Sequence, residues 1–425
     1  MRAFTRILVV FGAGSCAWLL ATVTWVDAAK AQESIAPVSL SDRMSWDQIG
    51  RALEAFPPSF DHGDSRLLIM QSLDRLVDIQ VQYMKPEDRP RFQEIVDFYR
   101  GRVDRGLEAL EKVQVKEGVG AFKFYSSSLV LKSAQGTVAI DFCQGPVHNA
   151  GEPESCDLYR TGFYLTPEQR DRLARLVDVQ LVTHRHHDHA DYSLAKRLIQ
   201  QGRRVVGPAQ LKTHWPQLAG GITVPTYDTI ETFGPCQVLT QLGYQYATSM
   251  PGPDGKRQGV PDPTDPGRDS ESVRYLIRIG GITFLQSAEN QVEADRWLAK
   301  AADRGWNVDV LLSPGQYQGG ESVVGFLQGK DYFRLPLHEY EMEHEGGGNR
   351  TGHYLDGASR KAFDAKRLMP LLWGEHFVIT SASIPRADAA VSAHPWFFEQ
   401  ATGAGEARGD RHIKKDGAGQ SAFLN

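Results

Sequence analysis

Residues 179–183 read Val-Gln-Leu-Val-Thr, a short apolar strand pattern, and run without a spacer into His184-Arg185-His186-His187-Asp188-His189. Four of the chain's thirteen histidines fall within those six positions, a density that demands an explanation in chemistry. Imidazole nitrogens and carboxylate oxygens are the ligands that hold zinc and similar divalent ions. In an extended segment, residues two apart point the same way, so His184 and His186 can converge on one ion. Asp188 and His189, after the turn, can face a second. Two ions about 3.5–4 Å apart can share a hydroxide of near-neutral pKa and clamp both the attacking and the leaving oxygen. A polar surface loop rich in histidine is the competing reading, and the buried-looking strand that feeds the run argues against it.

The surroundings read as a layered α/β core. Residues 122–131 alternate around Ser126-Ser127-Ser128, and residues 137–142 form a β-branched run containing Asp141. Thr166-Pro167-Glu168-Gln169 is a helix start, with Thr as N-cap, Pro at the first helical position and Gln three residues after the cap. That helix leads into the strand at 179–183. A helix at 194–201 and a strand at 204–207 follow the histidines, and this strand–helix–strand repetition predicts an α/β architecture. Further strands are expected at 238–247, 273–279, 282–286 and 308–312. Residues 251–269 are rich in Pro, Gly and Asp and read as a lid or rim loop.

Ahead of this core, residues 32–64 are rich in turn formers, and from Ser65 a helical period sets in. Leu68, Leu73, Leu76, Val77 and Val81 recur at helical spacing, Pro86 and Pro90 interrupt, and the pattern resumes from Phe92 to about Val113. Two or three amphipathic helices are expected in this N-terminal extension, 32–117. The core domain is expected at 118–385 and a C-terminal tail at 386–425, where periodicity is lost after about Arg386 and the last fifteen or so residues are expected to be mobile.

The first thirty residues have the layout of a secretory signal. Arg2 and Arg6 precede the apolar run 7–26, and Ala29-Lys30-Ala31 supplies small residues for cleavage after Ala31. A retained anchor is the alternative, but Gly12, Gly14 and Ser15 interrupt the run. Cys16 follows Gly14-Ser15, yet Ala13 is not the bulky aliphatic residue of a lipidation site. The expectation is an exported protein, periplasmic or extracellular, with no membrane span after signal removal. Cys143, Cys156 and Cys236 then remain, and either one bridge (Cys143 with Cys156 is the nearer pair) or three thiols fits an exported chain. A net charge of −5 over 425 residues, with no basic block, gives no sign of a nucleic-acid partner; the expectation of a small-molecule substrate comes from the histidine run and not from composition.

The pattern His-x-His-x-Asp-His after a short apolar strand resembles the signature of the metallo-β-lactamase superfamily. The flanking order is similar too: an early strand pair ending in Asp141, then helix, strand, histidine motif, helix and strand. The resemblance covers about residues 118–385, and within the superfamily the layout is most similar to the ascorbate-6-phosphate lactonase-like and phospholipase D-like branch. It implies a four-layer αββα sandwich with metal at one edge. It further implies His184 and His186 as ligands of a first metal, Asp188 and His189 as ligands of a second, and His338 in Leu335-Pro336-Leu337-His338 as the closing histidine.

The family's bridging aspartate corresponds to the stretch Phe284-Leu285-Gln286-Ser287-Ala288-Glu289-Asn290, where Glu289 is the natural replacement on a longer stem. The third first-metal histidine has no counterpart: Tyr244-Gln245-Tyr246-Ala247-Thr248-Ser249-Met250 contains none. His214, at what reads as a helix start, is the other histidine before Glu289 and is a ligand or a packing residue. After His338 comes Glu339-Tyr340-Glu341-Met342-Glu343-His344-Glu345, similar to a string in some superfamily members. There Glu341 and His344, like Asp141, are candidates for bonding to ligand histidines or to substrate. A solvated acidic helix reads the same string equally well.

These residues imply a zinc-dependent hydrolase with one or two ions, acting through a metal-activated water on an ester, lactone, amide or phosphodiester, with Asp188 also orienting that water. Two other classes stay open. The two departures from the ligand set fit a single-metal or non-catalytic binding protein on the same fold, and a di-iron oxygen-handling protein can share the scaffold.

Overall fold

The computed structural model describes residues 40–41, 43–77, 86–143, 165–186, 189–244, 248–251, 257–260, 271–287, 290, 292, 294–312, 318–335, 337 and 367–386. Among the described residues, the first α-helices are α1 (Trp46–Ala55), α2 (Gly63–Leu76) and α3 (Arg89–Lys112). The strands β1 (Val119–Lys123), β2 (Leu129–Ser133) and β3 (Gly136–Ile140) follow as a meander. Then α4 (Pro167–Leu176), β4 (Val179–Leu181), α5 (Tyr192–Gln200), β5 (Arg204–Val206), α6 (Ala209–His214) and β6 (Ile222–Thr223) alternate. The chain continues through β7 (Ile230–Phe233), β8 (Cys236–Tyr244), β9 (Thr248–Pro251), β10 (Arg257–Val260), β11 (Glu271–Ile279) and β12 (Ile282–Gln286). The last elements among the described residues are α7 (Asp295–Asp303), β13 (Val310–Leu311), α8 (Gln318–Leu327), β14 (Phe333–Arg334) and β15 (His376–Ile379).

The strands form two large mixed sheets, ordered β15-β1-β2-β3-β4-β5-β6 and β14-β13-β12-β11-β8-β7. In each strand alternate residues point to opposite faces. Val119, Ala121, Leu129, Leu131, Val138, Ile140, Val179 and Leu181 of the first sheet thereby meet Val238, Val273, Tyr275, Ile277 and Phe284 of the second in one buried core. Each such aliphatic side chain contributes about 1.5–3 kcal/mol on burial. The opposite parity of the second sheet, Leu239, Leu276 and Leu285, packs against Trp297, Leu298 and Ala301 of α7 and Val323 and Leu327 of α8. On the first sheet's outer side α3, α4 and α5 lie next to one another, α3 touching β1 and α5 touching β5. The order of layers is helix, sheet, sheet, helix.

Local sequence explains most boundaries. Thr166 and Gln169 form the expected capping box of α4, with Pro167 in its first turn. Helix α1 lies in the segment expected to be turns. Ser45 and Gln48 make a full capping box there, and Ile49, Ala52 and Leu53 form its buried face, so the signal was present but short. Pro90 does not interrupt α3; it sits in the first turn, where the missing N–H has no intrahelical acceptor to lose. His214 is the last residue of α6, not a helix start. Part of the expected 251–269 loop is strand: β10 pairs with β9 in register Gly259↔Ser249. Gly252-Pro253-Asp254-Gly255, which separates them in the sequence, has turn composition, and that hid the strand pairing from the sequence reading.

The helical extension is fastened to the core by buried charge. Arg66 of α2 forks onto Glu375 through both terminal nitrogens and also donates to Phe56 O (3.0 Å) and Pro370 O (2.8 Å). Arg102 of α3 donates Nε to Trp373 O at 3.0 Å. Gly374, at φ 72°, packs so tightly on that helix that a Cβ would lie 1.8 Å from Arg102 O. Among the described residues no helix is long and apolar enough to cross a membrane.

Candidate functional site

β3 and β4 are parallel, and their ladder continues past the strand ends through Asp141 N–H to Leu181 O (2.9 Å). Asp141 and Thr183 therefore emerge side by side at the carboxyl edge of the sheet, where open α/β sheets place their ligands. Asp141 holds φ 45°, a left-handed conformation that Asp and Asn tolerate better than other L residues. The second sheet is stitched to this edge by three bonds. Val273 N–H donates to Thr183 O (2.8 Å), Tyr275 Oη to Val182 O (2.9 Å) and Gln286 Nε2 to Asp141 Oδ2 (2.7 Å).

The histidines are oriented from beneath. Thr183 donates both its N–H (2.7 Å) and its hydroxyl (2.8 Å) to Asp141 Oδ1. With its single proton committed there, Thr183 Oγ1 can only accept from its other neighbours. Those are Nδ1 of His184 at 3.0 Å and Nδ1 of His189 at 3.3 Å. His189 Nδ1 also lies 3.2 Å from Asp141 Oδ2. The network assigns the proton of both imidazoles to Nδ1 and leaves the Nε2 lone pair on the far side of each ring. The His184 and His189 rings are 4.0 Å apart at their centroids, and His186 stands edge-on to His184 at 4.8 Å. His186 O accepts from His189 N (2.9 Å) and Ala190 N (2.8 Å), which ties His189 to the backbone of His186. Asp191 then caps α5 by accepting from Leu194 N at 2.8 Å. His184, His189, Asp141 and Thr183 are buried, and His186 is half-buried.

This donor chemistry suits a divalent ion, since ligand imidazoles commonly give their other N–H to a carboxylate or another acceptor in the shell behind them. The structure brings together His184, His186, His189 and Asp141. Asp188, Glu289, His338, Glu341 and His344 lie outside the described residues, as does Cys156. Among the described residues no three His, Cys, Asp or Glu side chains form a complete metal-binding group. His214 sits at the end of α6, where burial first and the charge of Arg185 second push its imidazole below the usual range. Cys143 and Cys236 are buried, and burial pushes the Cys236 thiol up to about 12.

Thr183 and Gln286 were not singled out from sequence. Thr183 is legible only as the residue before the first histidine. Gln286 carried no motif, because its role depends on β12 lying over β3.

No model of a known protein family matches the sequence, and no curated protein matches it. Solved structures do resemble the fold. A possible metal-dependent hydrolase from Veillonella parvula shares 14% identity at TM-score 0.43, covering 63% of this chain and 100% of that one. An isothiocyanate hydrolase from Delia radicum gut bacteria shares 15% at TM-score 0.42, covering 62% and 100%. The metallo-β-lactamase fold protein YhfI from Bacillus subtilis shares 13% at TM-score 0.36, covering 62% and 99%.

Proposed function

We propose that this chain, whose two-sheet αββα sandwich is the metallo-β-lactamase fold, is an exported metal-dependent hydrolase of a small-molecule substrate. The observation that carries the reading is the paired anchoring of His184 and His189 through Nδ1 on Thr183 and Asp141, with the two rings 4.0 Å apart. His184, His186, Asp188, His189, Glu289 and His338 would hold one or two ions, with zinc the ion that this donor set suits best. Such an ion supplies Lewis acidity and brings the pKa of a water on it toward neutrality. The chain's own part is to orient. Asp141 holds Thr183, Thr183 holds two imidazoles in one tautomer, and Gln286 fixes the carboxylate from the opposing sheet. Ester, lactone, amide and phosphodiester substrates all suit this chemistry, since fold alone does not select among them.

The absence of histidine from the strand Thr248–Pro251 favours a second reading, a site that holds a single ion. Metal analysis of protein purified without chelator separates the two, near two zinc per chain against near one, and iron would redirect the proposal. His186→Ala and Asp188→Ala should strip metal while the circular dichroism spectrum is retained. Unchanged metal content in both variants would sink the assignment. A panel of esters, lactones, amides and phosphodiesters then identifies the bond cleaved.

A further inference from the structure

The run Ser126-Ser127-Ser128 falls in the turn between β1 and β2, at the edge of the first sheet from which Asp141 emerges. Lys123 pairs with Leu129 and Leu129 with Ile140, so Ser128 comes opposite Asp141, one step past the β2–β3 ladder. The turn is closed by its own backbone: Phe124 N–H donates to Ser128 O (3.0 Å) and Ser128 N–H to Tyr125 O (2.8 Å). Lys123, only 1% exposed, lays its ammonium on Ser126 O and on Phe124 O at 3.3 Å. A buried cation needs such hydrogen bonds, and here they tie a side chain of β1 to the tip of the turn. The Lys123 backbone is held as well, donating its N–H to Glu375 O and accepting from Gly374 N–H, both at 2.9 Å. Ser128 is thereby a fixed point.

Its hydroxyl uses that position to hold the chain that follows Asp141. Cys143 N–H donates to Ser128 Oγ at 2.7 Å, and Cys143 O lies 2.8 Å and Asp141 O 3.3 Å from the same oxygen. A hydroxyl has one proton and two lone pairs, so it accepts the Cys143 N–H and donates to the nearer carbonyl, that of Cys143. Ser128, Asp141 and Cys143 are all buried. Between these contacts Asp141 leaves the strand at φ 45°, a left-handed conformation that costs free energy in an L residue and persists only where its surroundings over-determine it. Two clamps do so. Asp141 N–H is tied to Leu181 O (2.9 Å) on one side, and two residues later Cys143 is tied to Ser128 on the other. The conformation they enforce carries the Asp141 carboxylate to Thr183 and His189.

We propose that Ser128 is a positioning residue for the candidate site. Its hydroxyl holds Asp141 in the left-handed conformation, and through Asp141 and Thr183 it sets the Nδ1-protonated tautomers of His184 and His189. Its bearing on metal binding rests on the metal-hydrolase reading, whereas its hold on the tautomers can be read in the metal-free protein.

The test uses the whole chain and two readouts, long-range proton–nitrogen NMR of the imidazoles without metal and Zn²⁺ affinity from chelator competition. Signals of His184 and His189 are assigned from the His184→Ala and His189→Ala variants. Ser128→Ala is compared with Ser128→Thr, which keeps the hydroxyl, and with Ser133→Ala. Ser133 is a buried serine at the far end of β2, where its hydroxyl accepts only a local N–H, that of Gln135 at 3.2 Å. Ser128→Ala is expected to move both imidazole signals away from the Nδ1-protonated pattern and to weaken Zn²⁺ binding about tenfold. Ser128→Thr should restore both. Ser133→Ala should lower the melting temperature without moving either readout, which separates positioning from a general loss of stability. Ser128→Cys, kept reduced, exchanges the hydroxyl for a poor acceptor and carries the test if Ser128→Ala does not fold. Wild-type imidazole signals in the variant lacking the hydroxyl would overturn the proposal. If wild type binds no Zn²⁺, the metal reading falls, and the imidazole signals still decide the role of Ser128.

Discussion

Asp141 and Thr183 share two hydrogen bonds on a single oxygen: Oδ1 accepts from the Thr183 N–H at 2.7 Å and from its hydroxyl at 2.8 Å. The double contact commits the hydroxyl proton to the carboxylate, and the tautomers of His184 and His189 follow from it. One side chain sets the chemistry of two.

Replacing Thr183 tests that dependence. Thr183→Val keeps the shape but removes the oxygen that accepts from both Nδ1–H groups; His189 Nδ1 still has Asp141 Oδ2 at 3.2 Å, and the loss of a buried hydrogen bond at His184 costs about 1–3 kcal/mol. Thr183→Ser restores the acceptor. Zn²⁺ affinity by chelator competition should fall by about 10–100-fold in the valine variant and stay near wild type in the serine variant. Equal affinity in valine and wild-type proteins would show that Thr183 does not set the tautomers.

The candidate site was legible in the sequence at its centre and not at its supports. The run from His184 to His189 is local, and a strand leading into it is enough to read a site. Asp141 was visible because it ends a β-branched run. Gln286 and Ser128 carry no local sign of their roles: one acts across the inter-sheet gap on Asp141, the other across the sheet on the Cys143 backbone. Strand β12 was read at its observed bounds, Ile282–Gln286, because it is apolar and closed by a glycine turn. Strands of two residues such as β13 and β14 are too short for any period to register. They exist because parallel neighbours pair with them.

The Arg66–Glu375 pair makes a prediction about the helical extension. Both groups are buried, Arg66 also satisfies Phe56 O and Pro370 O, and Glu375 Oε2 accepts Leu372 N–H at 2.8 Å. Breaking such a pair leaves one buried charge uncompensated and costs about 3–5 kcal/mol. Arg66→Met and Glu375→Gln should each lose roughly that much in urea unfolding, and the double variant should lose less than the sum of the two. A single cooperative transition is expected in all of them. Separate unfolding of the helices at low urea, with the core intact, would show that residues 46–112 form an independent domain.

His376 makes the last prediction, one of acid sensitivity. On β15 its ring stacks on Phe122 at 5.1 Å and 11°, and burial lowers its pKa despite the opposing pull of Glu375. A histidine held below its ordinary value of about 6.5 is protonated more readily in the unfolded chain than in the folded one. Its contribution to stability is therefore complete above that pH and is lost as the pH falls toward the depressed folded value. His376→Phe keeps an aromatic ring on Phe122 and removes the proton site. Unfolding free energies from urea titrations at pH 7.5, 6.5 and 5.5 should fall more steeply in wild type than in the variant. Parallel curves would show that His376 takes up its proton equally well in both states, and that its burial against Phe122 does not tune the fold to pH.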